Sequence, residues 1–261
     1  MDTARQRRLA VLLAALRREG RQQSGLDPAL VPPDKDTAYR VARMVEEELG
    51  RTVVGWKIAA NKPAMQQALR TDSPIYGRVF AGDVRPSPVT VVHAELCSPI
   101  PEVEYEVLLG ADLPPRPKPY TAAEVTEAVA SLHPGIELAE CRFIHDAHFP
   151  PLPAILADGS GGGIICHGPP IENWRERDIA GQAVVLSCGG VQRRSGVASE
   201  AIGHPIESVT WLANELSRTG IGLKAGQMIS TGTLTGMLRP RPGETYVADF
   251  GPFGQVVARY A

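Results

Sequence analysis

Residues 102–109 read Glu-Val-Glu-Tyr-Glu-Val-Leu-Leu, in which acidic and apolar side chains alternate. Valine and tyrosine favour β-strands, and successive side chains of a strand point to opposite faces. The pattern therefore predicts a strand with Glu102, Glu104 and Glu106 on one face and apolar residues on a core face. No cation within the run relieves the repulsion. Two interpretations remain open: a site for a hard divalent cation, which carboxylate oxygens hold well, or a solvated strand face.

The composition is that of an ordinary globular protein. A chain of 261 residues that is 43% hydrophobic and 21% charged can form one large domain, or one domain with a small appendage. A net charge of -2 argues against nucleic acid as the main partner. The four cysteines form no C-x-x-C pair, which indicates a reduced, cytoplasmic setting. We also expect no membrane span and no signal peptide.

Hydrophobic spacing and turn residues predict an α+β order, with helices first and then mostly strands. Helices are expected at residues 3–19, 36–49, 63–69, 121–132 and 205–218, with Asp36 as one helix cap and His204 as another. Residues 71–77 are expected to form a loop. Strands are expected at residues 52–60, 102–109, 135–142, 182–188, 191–196, 228–231, 246–250 and 256–260. The glycine-rich run 158–163 lacks the lysine that would complete a phosphate-binding loop.

Several short motifs occur in an order and spacing that cover nearly the whole chain. They are Gly55-Trp56-Lys57-Ile58, Val103-Glu104-Tyr105-Glu106, Gly135-Ile136-Glu137-Leu138, Ala157-Asp158-Gly159-Ser160, Gly203-His204-Pro205, Trp211-Leu212-Ala213-Asn214, Lys224-Ala225-Gly226 and Ser230-Thr231-Gly232-Thr233. With these motifs the chain resembles the 2-oxo-4-pentenoate (2-hydroxypenta-2,4-dienoate) hydratases, which stand beside the 4-oxalocrotonate decarboxylases in the fumarylacetoacetate hydrolase superfamily.

The resemblance implies a roll of mixed β-sheets around a metal centre, after a small helical N-terminal portion. We place that portion at residues 1–80 and the β-rich catalytic domain at residues 81–261. The resemblance also implies that Glu104, Glu106 and Glu137 bind Mg²⁺, with Mn²⁺ as the alternative, and that the chain forms homo-oligomers. Glu102 is then left to solvent or to support of the ligands.

The same resemblance assigns four further residues. Lys57 and Asp158 are the expected catalytic residues, while Ser160 and Thr233 are expected to bind a small 2-oxo or 2-hydroxy-dienoic acid. Lys57 lies on an otherwise apolar strand, where an unpaired ammonium is costly. The competing interpretation is a structural lysine paired with one ligand. For Ser160 and Thr233 the competing interpretation is turn formation beside glycine.

The expected reaction is the hydration of 2-hydroxypenta-2,4-dienoate to 4-hydroxy-2-oxopentanoate in the degradation of aromatic compounds. The chain departs from the resemblance at Pro74-Ile75-Tyr76-Gly77, where Ile75 occupies a position that is acidic in many relatives. That acid is associated with proton transfer, and Asp72 is the nearest possible substitute.

Three other functions remain open from the sequence. A decarboxylase needs a cation for a distal carboxylate, and Arg78 or Arg142 are the candidates. A C–C hydrolase of acylpyruvates needs a water-activating histidine, for which His145 and His148 flank Asp146. A scaffolding subunit without activity is the third, although the carboxylates and Lys57 argue against it.

Overall fold

The computed structural model describes all 261 residues. The chain forms seven α-helices: α1 (Thr3–Glu19), α2 (Lys35–Leu49), α3 (Pro63–Leu69), α4 (Ala122–Ala128), α5 (Leu152–Ala157), α6 (Ala198–Ala201) and α7 (Pro205–Arg218). None of these helices combines the length and the apolar character that crossing a bilayer would need.

Twelve strands accompany the helices: β1 (Val53–Ala59), β2 (Ile75–Phe80), β3 (Val84–Pro86), β4 (Val89–Val91), β5 (Ile100–Leu109), β6 (Val129–Ala139), β7 (Ile164–His167), β8 (Ala183–Cys188), β9 (Val191–Val197), β10 (Met228–Ser230), β11 (Thr245–Asp249) and β12 (Gln255–Tyr260). Seven of them form a mixed sheet in the order β2-β1-β10-β5-β6-β7-β3. The other five form a sheet in the order β4-β12-β11-β8-β9. The predicted α+β class is confirmed.

The main core forms on the apolar face of β5. Val103, Tyr105 and Val107 are fully buried in one cluster with residues of the five-stranded sheet. The Tyr105 ring meets the ring of Phe250 edge-on at 5.3 Å. Because side chains alternate along a strand, this packing leaves the glutamates of β5 on the opposite face of the seven-stranded sheet.

A second, smaller core joins the N-terminal helices to α5. Leu9 and Leu13 of α1, Val41 of α2 and Leu156 of α5 are all buried in it. Within residues 1–80, β1 and β2 nevertheless belong to the same sheet as β5. The division of the chain at residue 80 stays a prediction.

Three local expectations need correction. Asp34, and not Asp36, caps α2, because its carboxylate accepts a hydrogen bond from the backbone N–H of Thr37. The helix expected to run to residue 132 ends at Ala128, where Val129 starts the pairing of β6 with β5. The loop expected over residues 71–77 ends early, because Ile75 already pairs with β1.

Candidate metal and substrate site

Antiparallel pairing of β5 with β6 brings two glutamates of the polar face together. Glu102 lies directly opposite Glu137 in the register, and Glu104 lies two residues further along β5 on the same face. One carboxylate oxygen from each of the three lies within 4.8 Å of the others. All three side chains are buried. This is a compact cluster of oxygen donors in a part of the protein from which water is largely excluded.

Glu106 stands next to this cluster, two residues beyond Glu104 on the same face of β5. It is four residues from Glu102, or about 13 Å along the strand, and its partner on β6 is His133. Its carboxylate contacts the Ser230 hydroxyl at 3.2 Å. The same hydroxyl contacts Glu104, and the second oxygen of Glu106 is buried without a hydrogen-bond partner. Glu102, Glu104 and Glu137 have the tightest grouping of oxygens, because the strand register places Glu102 across from Glu137. The expected ligand set Glu104, Glu106 and Glu137 stays a prediction.

Residues next to the cluster donate hydrogen bonds to one carboxylate oxygen of Glu104 and to one of Glu137. Glu104 Oε2 accepts hydrogen bonds from the Ser230 hydroxyl at 2.5 Å and from the Gly232 N–H at 2.6 Å. Glu137 Oε1 accepts a longer one from the Gly163 N–H at 3.4 Å. Glu104 Oε1, Glu106 Oε2 and Glu137 Oε2 accept no hydrogen bond although they are buried, and of the three only Glu137 Oε2 has an ion-pair partner, Lys57 Nζ at 3.4 Å. Buried oxygens of this kind are suitable ligands for a hard divalent cation.

Burial raises the pKa of all three carboxyl groups of the cluster. Burial and the neighbouring carboxylates raise the pKa of Glu104 well above its usual range. Burial raises the pKa of Glu137 to about 7 and also raises that of Glu102, while Lys57 counteracts the shift in both. The crowded carboxylates are therefore short of positive charge, which a divalent cation would supply.

Lys57 projects from β1 into the same polar region and is 2% exposed. Its Nζ lies 3.4 Å from Glu137 Oε2 and donates a hydrogen bond to the carbonyl oxygen of Ser160 at 3.2 Å. Burial alone would lower the pKa of Lys57, but Glu137, Glu102 and Glu104 outweigh burial and raise it. The ammonium is thus held charged and pointed at the carboxylate cluster.

A cavity of about 410 Å³ opens onto this cluster. Lys57, Glu102, Ser160 and Thr233 are among its lining residues, so three of the four expected catalytic or substrate-binding residues reach it. The Ser160 hydroxyl is already engaged, since it donates to the carbonyl oxygen of Tyr76 at 2.6 Å. The Thr233 hydroxyl contacts only the backbone of Gly236. Of these two hydroxyls, that of Thr233 is the freer to turn towards a ligand.

Asp158, expected as a catalytic residue, does not line the cavity. Both of its carboxylate oxygens accept hydrogen bonds from Arg142, through the side-chain Nε and through the backbone N–H. Arg142 is fully buried and also contacts Glu140 at 3.3 Å. Asp158 therefore positions the glycine-rich loop 158–163, whose Ser160 carbonyl holds Lys57. The catalytic role expected for Asp158 stays a prediction.

Glycine at position 77 allows this loop to approach β2 closely. A Cβ at Gly77 would lie 2.0 Å from the carbonyl oxygen of Gly159 and 3.4 Å from Cγ of Lys57. Any side chain there would push the loop away from the lysine.

The residues suggested for the alternative functions lie elsewhere or are engaged. Asp72 is exposed and pairs with Lys35, so it does not replace an acid at position 75. Arg78 lies outside the cavity, where it pairs with Glu46 at 2.7 Å. His145 lines the cavity but stacks on Phe149, with ring centroids 4.1 Å apart.

Asp146 and His204 have structural contacts, whereas Glu140 is a further acid of the cavity. Asp146 accepts a hydrogen bond from the backbone N–H of His148 and forms no ion pair with a histidine. His204 caps α7 as expected, since its ring accepts from the Ile206 N–H. Glu140 lines the cavity and was missed. The only feature of the sequence that could have indicated Glu140 is its position three residues after Glu137.

Comparison with known proteins agrees with this geometry. Residues 65–260 match the family described as fumarylacetoacetate (FAA) hydrolase C-terminal. The chain belongs to this family. The superfamily resemblance inferred from the motifs is thereby confirmed.

Three relatives of the family are informative. A 2-keto-4-pentenoate hydratase of Paraburkholderia xenovorans (strain LB400) is 30% identical over 230 residues, which cover 85% of this chain and 82% of the relative. A 2-oxo-hept-4-ene-1,7-dioate hydratase of Escherichia coli is 29% identical, covering 81% and 80%. The structure of 4-oxalocrotonate decarboxylase from Pseudomonas putida G7, complexed with magnesium and adipate, superposes with a TM-score of 0.91 at 23% identity, covering 100% and 99%. The last comparison establishes the shared fold.

A matched pair of substitutions distinguishes the two possible sets of ligands. We expect Glu102→Gln to weaken Mg²⁺ binding at least tenfold, because the amide removes the charge from one member of the cluster. Glu106→Gln should change the affinity less than threefold, since its side chain lies outside the cluster. Isothermal titration of each variant with Mg²⁺ measures both. A loss of binding in the Glu106 variant alone would support the set inferred from the motifs.

The raised carboxyl pKa values predict how metal binding depends on pH. In the metal-free protein the native state holds protons that the unfolded chain releases, so the contribution of Glu137 to stability decreases as the pH rises from about 4.5 to about 7. Mg²⁺ needs the ionised carboxylates, so its stabilising effect should grow over the same range. Melting temperatures with Mg²⁺ and with EDTA at pH 5.5 and pH 8 measure this. An equal effect of Mg²⁺ at both values would contradict the prediction.

We expect Asp158→Asn to lower the free energy of unfolding of the protein. It removes the nearer of the two anionic partners of the buried Arg142 and leaves Glu140 at 3.3 Å, so the loss should approach the low end of the about 3–5 kcal/mol seen when a buried pair is broken. The matched control is Asp72→Asn, which breaks an exposed ion pair worth about 1 kcal/mol or less. Urea unfolding of both variants compares the two losses. If Asp158→Asn unfolds like the control, the buried pair does not hold the loop.

Proposed function

We propose that this chain is a hydratase, dependent on a divalent cation, that adds water to 2-hydroxypenta-2,4-dienoate and yields 4-hydroxy-2-oxopentanoate in the degradation of aromatic compounds. The observation that carries the proposal is the buried cluster of Glu102, Glu104 and Glu137 beside Lys57, at the inner end of a cavity. Curated relatives named as hydratases, about 30% identical over most of the chain, support it.

The three carboxylates are the residues that would hold the cation, and Mg²⁺ is the proposed ion because hard oxygen donors suit it. When bound, the cation would bind the carboxylate and 2-oxygen of the substrate and favour the enolate form of the 2-oxo acid. The Oε1 atom of Glu104 supports this assignment, since it is buried without a partner while Ser230 and Gly232 hold the second oxygen.

Lys57 and Thr233 act on the polar end of the substrate. The charged Nζ of Lys57 is held by Ser160 and Glu137, so it can stabilise negative charge on the substrate's 2-oxygen and return a proton there. The Thr233 hydroxyl lines the same cavity and can donate to the substrate carboxylate. Ser160 contributes through its carbonyl, which orients Lys57, and its hydroxyl stays bound to Tyr76.

Water addition places a hydroxyl at C4 and a hydrogen at C3, so it needs a group that takes a proton from the water and returns one to C3. Glu102 and Glu140 are the carboxylates that line the cavity, and Glu102 belongs to the cation site. Glu140 is thus our candidate base. Its Oε1 accepts from the Cys97 N–H and its Oε2 contacts Arg142, so the carboxylate is held in place. Ile75 contributes an apolar wall.

The alternative functions receive less support from the site. A decarboxylase would need Arg78 or Arg142 near the distal carboxylate, and neither lines the cavity. A hydrolase would need a histidine paired with an acid, and His145 stacks on an aromatic ring instead. A scaffolding subunit would not need three buried carboxylates and a buried lysine. A cytoplasmic location and a homo-oligomeric state stay predictions.

The first experiment is a spectrophotometric assay with Mg²⁺ and freshly prepared 2-hydroxypenta-2,4-dienoate. We expect the dienoate absorbance to disappear, 4-hydroxy-2-oxopentanoate to form, and EDTA to abolish turnover. Release of CO₂ from a longer dioic acid would move the chain to the decarboxylases. Release of pyruvate from an acylpyruvate would move it to the hydrolases.

Two substitutions test the residue roles in the same assay. Lys57→Met and Glu140→Gln should each lower kcat by about 10²–10⁴, the usual contribution of a proton-handling group. Glu127→Gln is the matched control, because this exposed glutamate of α4 lies outside the cavity. Full kcat in the Glu140 variant would remove it as the base and leave the cation site unaffected.

A further inference from the structure

The cavity has two ends of different character. Its inner end is buried and polar, with Lys57, Glu102 and Ser160 at most 7% exposed. Its outer end is reached through Met65 and Met237, which are 38% and 52% exposed. A substrate held by its carboxylate and 2-oxygen at the inner end therefore directs its far carbons towards the methionines.

The lining between these ends is largely apolar. Besides the two methionines, it includes the side chains of Leu69, Ile75, Ile100, Phe149 and Ile155. The chain exposes six large hydrophobic residues, and two of them are the methionines at this mouth, one at α3 and one in the segment after β10. Methionine side chains are flexible and adapt to ligands of varied shape. The apolar surface at the mouth thus has a form that suits a hydrocarbon group.

The size of the cavity also favours a substrate longer than a pentadienoate. Cavities of roughly 300–1,000 Å³ enclose ligands much larger than a pentadienoate, and this one measures about 410 Å³. A substrate that ends at C5 leaves the outer half filled with water against apolar walls. Replacing that water with hydrocarbon is favourable. Each buried methylene should raise the binding affinity about fourfold.

A terminal carboxylate finds little at the outer end to bind it. Arg78 and Arg142 lie outside the cavity, and each is paired with an acid. Apart from Lys57, the only lysine of the lining is Lys62, which is exposed and stands immediately before α3. The outer end therefore favours an uncharged tail over a second carboxylate.

We propose that the outer half of the cavity binds an apolar tail, so that the preferred substrates are 2-hydroxyalka-2,4-dienoates that carry an alkyl group beyond C5. The residues that select the tail are Met65, Leu69, Ile75, Phe149 and Met237. This inference rests on the proposed function for the reaction, while the preference for a tail is a property of the cavity that binding alone can measure.

The test uses three saturated 2-oxo acids, titrated into the protein with Mg²⁺ present. They are 2-oxopentanoate, 2-oxoheptanoate and 2-oxoheptanedioate, of which the last two differ only in having a methyl or a carboxylate at the far end. We expect 2-oxoheptanoate to bind roughly tenfold tighter than 2-oxopentanoate, from two buried methylenes. It should also bind at least tenfold tighter than the dioate.

Substitutions at the mouth locate the preference. Met65→Gln and Met237→Gln should each reduce the ratio between the affinities for 2-oxoheptanoate and 2-oxopentanoate by about threefold. Val191→Thr is the matched control, because this exposed residue of β9 lies outside the cavity and should leave the ratio unchanged. The three corresponding dienoates are then compared for kcat/KM.

The outcomes separate the two proposals. Equal affinities for the pentanoate and the heptanoate would overturn the tail-binding inference, even if the hydratase assay succeeds. Tighter binding of the dioate, lost on Lys62→Gln, would overturn it in favour of a terminal carboxylate. A preference for the heptanoate without turnover of any dienoate would support the tail site and overturn the hydratase proposal.

Discussion

Three carboxylates share one point on a sheet face from which water is excluded, and the arrangement depends on a compensating positive charge. Ionised groups lose several kcal/mol on leaving water and recover it only through close partners. Lys57 supplies one charge against Glu102, Glu104 and Glu137, which leaves the cluster negative if all three ionise. A divalent cation would complete the balance, and loops next to the cluster hold the carboxylates and Lys57 in place.

Those loops are held in turn by a second buried ion pair. Arg142 binds both oxygens of Asp158 and the backbone carbonyl oxygen of Gly162, so it fixes the glycine-rich loop at both ends. Arg17 of α1 adds a hydrogen bond to the Asp158 carbonyl. The loop then offers the Ser160 carbonyl to Lys57. Charge pairing outside the cavity thus determines where the ammonium points inside it.

The sequence predicted the chemistry of the site better than its geometry. Alternation along β5 correctly placed the glutamates on one face, because side-chain period is a local property of a strand. Alternation alone does not determine which acids of β5 lie near Glu137. That depends on the register between β5 and β6, which places Glu102 opposite Glu137 and pairs residues far apart in the sequence. The pairing of Asp158 with Arg142 is likewise not visible in a local pattern, since the two residues are 16 positions apart.

Local signals were reliable where local forces dominate. The bounds of α1 and α3, the capping box at Thr121 and the hairpin at Gly189-Gly190 all match expectation, because caps and tight turns are set by a few adjacent residues. The end of α4 was misplaced because Val129 prefers the ladder of β6 to another helical turn. Tertiary pairing outweighs the modest helix propensity of the residues that follow.

The division of the cavity follows from the same two-faced sheet and from what covers it. The polar face of the seven-stranded sheet forms the inner end, where the charge of Lys57 compensates part of the charge of the buried acids. The mouth is formed by α3 and by segments outside the sheet. These elements contribute no member of the carboxylate cluster, and they carry apolar side chains such as Met65 and Met237. The reacting end of a substrate is therefore governed by electrostatics fixed in the sheet. Its far end is governed by hydrophobic contact with elements that can change without disturbing the reaction, so substrate choice and chemistry reside in separate parts of the fold.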